Sequence, residues 1–387
     1  MPHAATLSTQ PAAAAIMATL RRVPVAEWDS VVADFDGVCQ EQLVAFSARR
    51  WPGVVLEPVL VESGGTVLGG ALMMIQRVPL GLGAIAVAKW APMLADEVSD
   101  GAEARYETMI SALMEEYADR RGMTLSILPR ASISARNPES EVLERRGFSA
   151  KPELLFPNRY IVDLRLPDEA RRKAFAQKWR YHLNKSEKAG LSFEHAGPES
   201  RPLFDALYET MVDRKKFPDH SAYETVPDLL SIADPRLRPE LFFVRREGRA
   251  IAGAIIFKAG LRAVYLYGAT DSEALDLRAG YFLHWHVIRW LRDNTRARWY
   301  DLGGTDGFAG LHQFKKGMVG TAGVIEPVPA VGIYASRPLP KLVGHAAFAM
   351  RAVQRRATHV LERLRPEGAK PDQGRAGDRQ AAQGRDD

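Results

Sequence analysis

Between Trp299 and Gly317 the chain reads WYDLGGTDGFAGLHQFKKG, a strand-like run that opens into five glycines, two aspartates and two adjacent lysines. Tyr300 and Leu302 suit a buried strand. Gly303, Gly304 and Gly307 permit positive φ or close backbone approach just after it. Loops at the carboxyl ends of strands are where α/β sheets bind ligands. Lys315 and Lys316 add fixed positive charge there, on a short helical turn begun near Ala309. The glycine spacing before the lysines is not that of a Walker-type phosphate loop, and no Ser or Thr follows them. A structural glycine turn with two solvated lysines fits the same residues, and the pattern alone leaves both readings open.

The elements that must position this segment repeat. GGTVLGGALMMI (64–75) and EGRAIAGAIIF (247–257) share a turn glycine, an aliphatic start, a central Gly-Ala and an apolar run. Each reads as the second arm of a hairpin, after VLEPVLVES and PELFFVRR. Each is followed by a strand, a helix and another strand. Tyr106, Met109, Leu113 and Tyr117 fall at helical spacing in the first copy, and Leu283, Val287, Trp290 and Leu291 in the second. The expectation is an internally duplicated chain of mixed α/β class, with a hairpin and a crossover helix feeding each sheet.

Pro152 and Pro157 punctuate the boundary between the copies. DEARRKAFAQKWRYHLNKSEKAG then predicts one strong basic helix, capped by Asp168, striped by Phe175, Trp179 and Leu183, and ended by Gly190. The expected organisation is a disordered extension over 1–15, a first domain over 16–151 and a second over 152–320. A return strand and basic helix over 321–365 and a disordered tail over 366–387 complete it.

Of 387 residues, 46% are hydrophobic and 26% charged, which excludes disorder of the whole chain. A net charge of +5 is compatible with anionic partners without requiring them. The one cysteine, Cys39, excludes an intramolecular disulfide or Cys-rich metal site, and a reducing compartment fits. His284, His286 and His312 lack metal-site spacing, so no metal is expected and these read as packing or pocket residues. The start lacks a basic region ahead of an apolar stretch, and no run approaches the roughly 18–20 apolar residues of a bilayer span. The expected location is cytoplasmic, with peripheral membrane contact left open.

RWYDLGGTDGFAGLHQFKKGMVG resembles the C-terminal signature of the Fem-type aminoacyl-tRNA-dependent transferases, the FemABX peptidoglycan-bridge family. There a Tyr-Asp-Leu/Phe-Gly-Gly strand end precedes Gly-Leu-Tyr-x-Phe-Lys. QKWRYHLNKSEKAGL, YETMVDRKKF and VYLYGATDSEALDLRAGYFLHWHVIRW resemble three further stretches of that family, so the similarity covers most of Tyr160–Gly320. CQEQLVAFSARRW matches more loosely in the first half. Two tandem GNAT-like acyltransferase domains are the implied fold. The inserted coiled-coil arm of some members is not expected, since no heptad run appears between Gly190 and Pro239.

The resemblance implies that an amine of a peptidoglycan or other cell-envelope precursor attacks the ester carbonyl of an aminoacyl-tRNA. It places the functional pair on Phe314 and Lys315: Lys315 offsets charge on the carbonyl oxygen, and Phe314 packs on the terminal adenosine or orders the loop. Lys316 is the substitute for Lys315. Arg214 matches an arginine that holds the precursor diphosphate. In the first domain the family has a phosphate-binding lysine, where this chain offers Arg49 or Arg50. Asp301 orients the amine or accepts its proton, or else caps the next turn. Gly303 and Gly304 open the sheet end onto the substrate. Arg180, Lys185 and Lys188 form either an RNA or precursor contact or a solvated helix face.

No bound cofactor is implied: aminoacyl-tRNA is a co-substrate and a nucleotide- or lipid-linked precursor the acceptor. Two alternatives stand beside this. One is a GNAT-type N-acyltransferase using acyl-coenzyme A, acetyl-coenzyme A being the simplest donor, in an exopolysaccharide-associated setting among others. Arg278 and Gly280 supply only a fragment of the expected diphosphate-binding turn. The other is a non-catalytic binding protein of the same fold.

Overall fold

The computed structural model describes residues 18–78, 83–151, 156–215, 222–338 and 340. The first half contains β1 (Ala18–Arg22), α1 (Val25–Val32), α2 (Val44–Arg50), β2 (Val55–Ser63), β3 (Thr66–Arg77), β4 (Ala84–Lys89) and β5 (Met93–Leu94). It continues with α3 (Ala102–Leu113), β6 (Thr124–Leu128), α4 (Pro138–Arg145) and β7 (Ser149–Lys151). The second half has β8 (Asn158–Asp163), α5 (Asp168–Ala174), α6 (Gln177–Glu187), β9 (Leu191–Ala196), α7 (Arg201–Lys215), α8 (Val226–Leu230), β10 (Glu240–Arg246) and β11 (Arg249–Phe257). Then come β12 (Arg262–Thr270), α9 (Ser272–Asp276), α10 (Ala279–Asn294), β13 (Trp299–Asp301), α11 (Ala309–Val319), β14 (Val324–Pro327) and β15 (Val331–Tyr334).

The expected duplication is visible in both sheets. β2 and β3 are joined by Gly64 and Gly65 at φ +56° and +79°, the consecutive left-handed residues that a tight hairpin requires. β10 and β11 are joined by Glu247 and Gly248 at +50° and +81° in the same way. Each hairpin gains an antiparallel third strand, β4 or β12. A helix, α3 or α10, then crosses to a parallel fourth strand, β6 or β13.

The sheets close in a way the repeat did not disclose. The strand beside β13 is β8, which enters from the segment that follows the first domain, and β14 pairs with β8. The strand beside β6 is β15, from the far end of the described chain, and it also pairs with β7. The expected return strand is therefore two strands in two different sheets. The second sheet runs β14-β8-β13-β12-β11-β10-β9, and the first runs β1-β2-β3-β4-β6-β15-β7.

The basic helix expected after Pro167 is broken. Phe175 is extended (ψ 149°), and the next N–H, that of Ala176, donates to Gly317 O at 3.0 Å. The break puts the Phe175 ring 4.1 Å from Trp179 and edge-on to Trp285, all in one core. Asp168 is not a cap; the cap position is Pro167. Its carboxylate is taken by Arg289 and Arg292 of α10 at 2.9 and 2.5 Å, which give it stronger partners than a backbone N–H. The short turn near Ala309 is instead an eleven-residue helix. It packs close on α6 because Gly317 has no side chain: a Cβ there would lie 3.1 Å from Trp179 Cδ1.

A shared apolar cluster joins the halves: Trp28, Phe46, Leu60 and Leu72 pack with Leu229, Leu237, Phe257 and Val264. Fully burying each such side chain contributes roughly 1.5–3 kcal/mol. Arg296 bonds Asp36 and the carbonyls of Asp34 and Phe35 across the same junction. The expected terminal extension, C-terminal helix and tail lie outside the described residues.

Candidate active site

β13 ends at Asp301, and the loop after it folds back on α11. Gly303 takes φ +78°, which lets the Leu302 and Gly304 carbonyls face one point. Lys315, only 6% exposed, occupies that point: its Nζ donates to Leu302 O and Gly304 O, each at 2.6 Å. Nζ also lies 5.9 Å from the centre of the Tyr265 ring. Burial, then the Arg159 charge, lowers the Lys315 pKa to about 8, while Asp301 and Asp306 pull the other way. An ammonium has three N–H donors; two are used here among the described residues, so Lys315 is both a clamp on the loop and a source of one further donor.

Asp301 is 3% exposed and accepts from Arg159 Nε at 3.1 Å and from the Gly303 N–H at 2.9 Å. Burial raises its pKa, but Arg159, Arg262 and the Gly303 N–H outweigh this and hold the carboxyl below its ordinary range. The bond to Gly303 is the turn-capping alternative that the sequence left open. Arg159 also lies 4.8 Å over the Trp90 ring of the first domain. A cavity of about 10 Å³, room for roughly one water, lies among Cys39, Trp90, Arg130, Arg159, Arg262 and Asp301.

Phe314 is half-buried among rings, edge-on to Tyr281 at 4.9 Å and to His284 at 5.6 Å, with Trp179 at 6.3 Å. His284 is buried and its Nδ1 is 3.1 Å from Tyr300 Oη. Burial and then Lys315 push its pKa to about 3, so it is a neutral packing residue at ordinary pH. Gly268 makes room for this arrangement: a Cβ there would fall 1.5 Å from the Tyr265 hydroxyl oxygen.

On the other side of the loop an open cleft of about 330 Å³ is lined, among the described residues, by Phe156, Pro157, Asn158, Tyr160, Thr305, Gly307, Ala309 and His312. His312 Nδ1 is hydrogen-bonded to Tyr160 Oη. Gly304, one of the two residues clamped by Lys315, packs against this cleft's wall: a Cβ there would lie 3.8 Å from both the Asn158 and Phe156 carbonyl oxygens.

The structure thus brings Lys315, Phe314, Asp301, Gly303 and Gly304 together. Lys316, on the same helix, is exposed. The other candidate cations are spread elsewhere. Arg214 Nη2 donates to Thr270 Oγ1 at 3.3 Å at the far end of β12, and its Nη1 is buried without a partner among the described residues. Arg49 pairs with Asp228 and Arg50 with Glu224, each at 2.7 Å, tying α2 to the second domain. Arg180 donates to Phe175 O and Lys173 O, bridging the helix break. His286 stacks on Phe193. Sequence reasoning missed Arg159, Tyr160 and Tyr265. Tyr265 lay within the quoted VYLYGAT, whereas nothing in FPNRY marks Arg159 or Tyr160.

A family model described as an acetyltransferase (GNAT) domain matches residues 171–316, which takes in Phe314, Lys315 and Lys316. FemX superposes with a TM-score of 0.67 at 17% identity, over 84% of this chain and 99% of its own. A conserved protein of unknown function from Bacteroides thetaiotaomicron superposes with a TM-score of 0.52 at 11% identity, over 82% of this chain and 99% of its own. Lipid II:glycine glycyltransferase of Staphylococcus aureus is 34% identical over 77 residues, 18% of this chain and 18% of that protein. The chain thus spans about a fifth of the length of the curated relatives it matches.

Two mixed sheets in tandem, each with a hairpin and a parallel crossover, together with that domain match, define the class of proteins built from two GNAT-like domains. The resemblance read from Tyr160–Gly320 is supported: a 77-residue stretch of the chain is similar to a lipid II:glycine glycyltransferase, and FemX shares the fold.

Proposed function

We propose that this protein transfers an aminoacyl group from aminoacyl-tRNA to an amine of a cell-wall precursor. The observation that carries the reading is Lys315: a buried ammonium held under a glycine loop at a strand end, with a donor to spare, beside an open cleft. As the amine attacks the ester carbonyl, negative charge moves onto the carbonyl oxygen. A fixed cation in a water-poor site stabilises that charge more than it stabilises the neutral ester. The clamp on Leu302 O and Gly304 O fixes the ammonium before reaction, so little reorganisation is required. Phe314, in its aromatic surround, offers a flat apolar wall for a nucleoside base.

The glycyltransferase similarity supports an amino acid as the group moved and a lipid-linked muropeptide amine as the acceptor. A second reading, with an acyl-coenzyme A donor, is favoured by the acetyltransferase domain match and by α10. That helix starts after Arg278, at φ +60°, in the position where GNAT-like folds would receive a diphosphate. Incubation of the full chain with a muramyl-pentapeptide precursor and either mixed aminoacyl-tRNAs or acetyl-coenzyme A, followed by acceptor mass, separates the two. A gain of one aminoacyl residue supports the first and an acetyl gain the second. No gain from either donor overturns both.

A further inference from the structure

We propose that His312 is a catalytic residue of this site, the group that removes the proton from the attacking amine, with Tyr160 as its positioning partner. This rests on the acyl-transfer reading above and adds to it a proton path that Lys315, a cation, does not provide.

The cleft needs a base, and its lining offers few. Of the eight described residues that line it, Phe156, Pro157, Asn158, Thr305, Gly307 and Ala309 have no titratable side chain. The remaining two are His312 and Tyr160, and they are bonded to each other. Asp301, the carboxylate that the sequence put forward, is already engaged by Arg159 and the Gly303 N–H.

Position supports the assignment. His312 stands three residues before Lys315 on α11, and side chains at that spacing are neighbours on a helix surface. Tyr160, 1% exposed, sits on β8, and its carbonyl accepts the Leu302 N–H at 2.8 Å. The strand that holds the imidazole is therefore the one that seats the loop around Lys315. Base and cation are referenced to one rigid strand end, the arrangement that transfer between them requires.

In the productive tautomer Nδ1–H donates to Tyr160 Oη, which leaves the Nε2 lone pair for the cleft. The neutral amine attacks the acyl carbon and the C–N bond forms, giving a cationic nitrogen and an oxyanion. The nitrogen passes its proton to His312 Nε2. As the oxyanion collapses, the ester C–O bond breaks and the leaving oxygen takes that proton from the imidazolium. Amine and ester become amide and alcohol with no other reactant.

The test uses the full chain, a muramyl-pentapeptide acceptor and aminoacyl-tRNA. His312→Ala lowers kcat by ~10²–10⁴-fold, with KM for both substrates unchanged, and added imidazole restores part of the rate. His312→Gln, which keeps a hydrogen bond to Tyr160, is equally slow, and both variants unfold at the wild-type temperature. Near wild-type kcat in either variant, or a folded His312→Ala that imidazole does not accelerate, overturns the assignment. An inactive wild-type protein overturns the transfer reading itself, a different result from an active wild type with active variants.

Discussion

Arg159 Nε lies 3.1 Å from Asp301 Oδ1, and the same guanidinium lies 4.8 Å over the ring of Trp90. One side chain thereby joins the strand end that carries the site to the first domain. Arg159→Ala leaves the buried Asp301 carboxylate with only the Gly303 N–H and the Arg262 charge, and loss of one partner of such a pair costs up to about 3–5 kcal/mol. Denaturant unfolding of Arg159→Ala, Asp301→Ala and the double variant checks this. The double variant is expected to be less destabilised than the sum of the singles.

Lys315→Met retains the length of the side chain and removes its charge. Two carbonyls then lose their donor, at about 1–3 kcal/mol for each left buried and unpaired. Transfer is expected to fall about 10²–10³-fold, the scale for loss of one transition-state donor. The same rate in Lys315→Met and wild type, measured on folded protein, removes Lys315 from the chemistry.

The lowered Lys315 pKa gives a pH signature. Its charged form is disfavoured in the folded protein, with a folded value of about 8 against 10.5 for the free side chain. Transfer that needs the ammonium therefore declines as pH rises through about 8. Stability runs the other way: between about 8 and 10.5 the unfolded chain holds the extra proton, so this group's contribution rises with pH and is lost as pH falls through about 8. Lys315→Arg, which stays charged, is expected to abolish the decline in rate.

His284 adds an acid-side signature. Its folded pKa of about 3 lies below the ordinary 6.5, so its contribution is present above 6.5 and lost as pH falls towards 3. Thermal unfolding of His284→Phe across that range should show a shallower acid slope. An unchanged slope would mean that other groups set it.

Gly268→Ala tests the glycine that seats Tyr265. Its Cβ would meet the Tyr265 hydroxyl at 1.5 Å, so the ring must leave its place over Lys315. The variant is expected to fold and to lose transfer, read by acceptor mass, whereas Gly310→Ala, with nothing within 4 Å of the new Cβ, should behave as wild type.

Much of the fold was legible because local chemistry and packing agreed. The paired glycine turns, the 3.6-residue stripes and the Gly-Ala strands are dictated within a few residues of themselves, and they reappear as β2–β3 with α3 and β10–β11 with α10. Where a tertiary contact competed, local reading failed. Asp168 looked like a cap until α10 brought two guanidiniums to it, and the basic helix looked continuous until Phe175 was needed in the core.

By itself the sequence determined the duplicated α/β plan and the conjunction of glycines with Phe314 and Lys315, since these depend on residue types a few positions apart. Only the tertiary structure decided that β15, from the far end of the described chain, closes the first sheet while β8 closes the second, and that Arg49 and Arg50 are paired with carboxylates. It alone paired Arg159 with Asp301, and His312 with Tyr160, over separations of 142 and 152 residues. Contacts of that range leave no period or spacing in the chain, because they are set by which strands lie side by side.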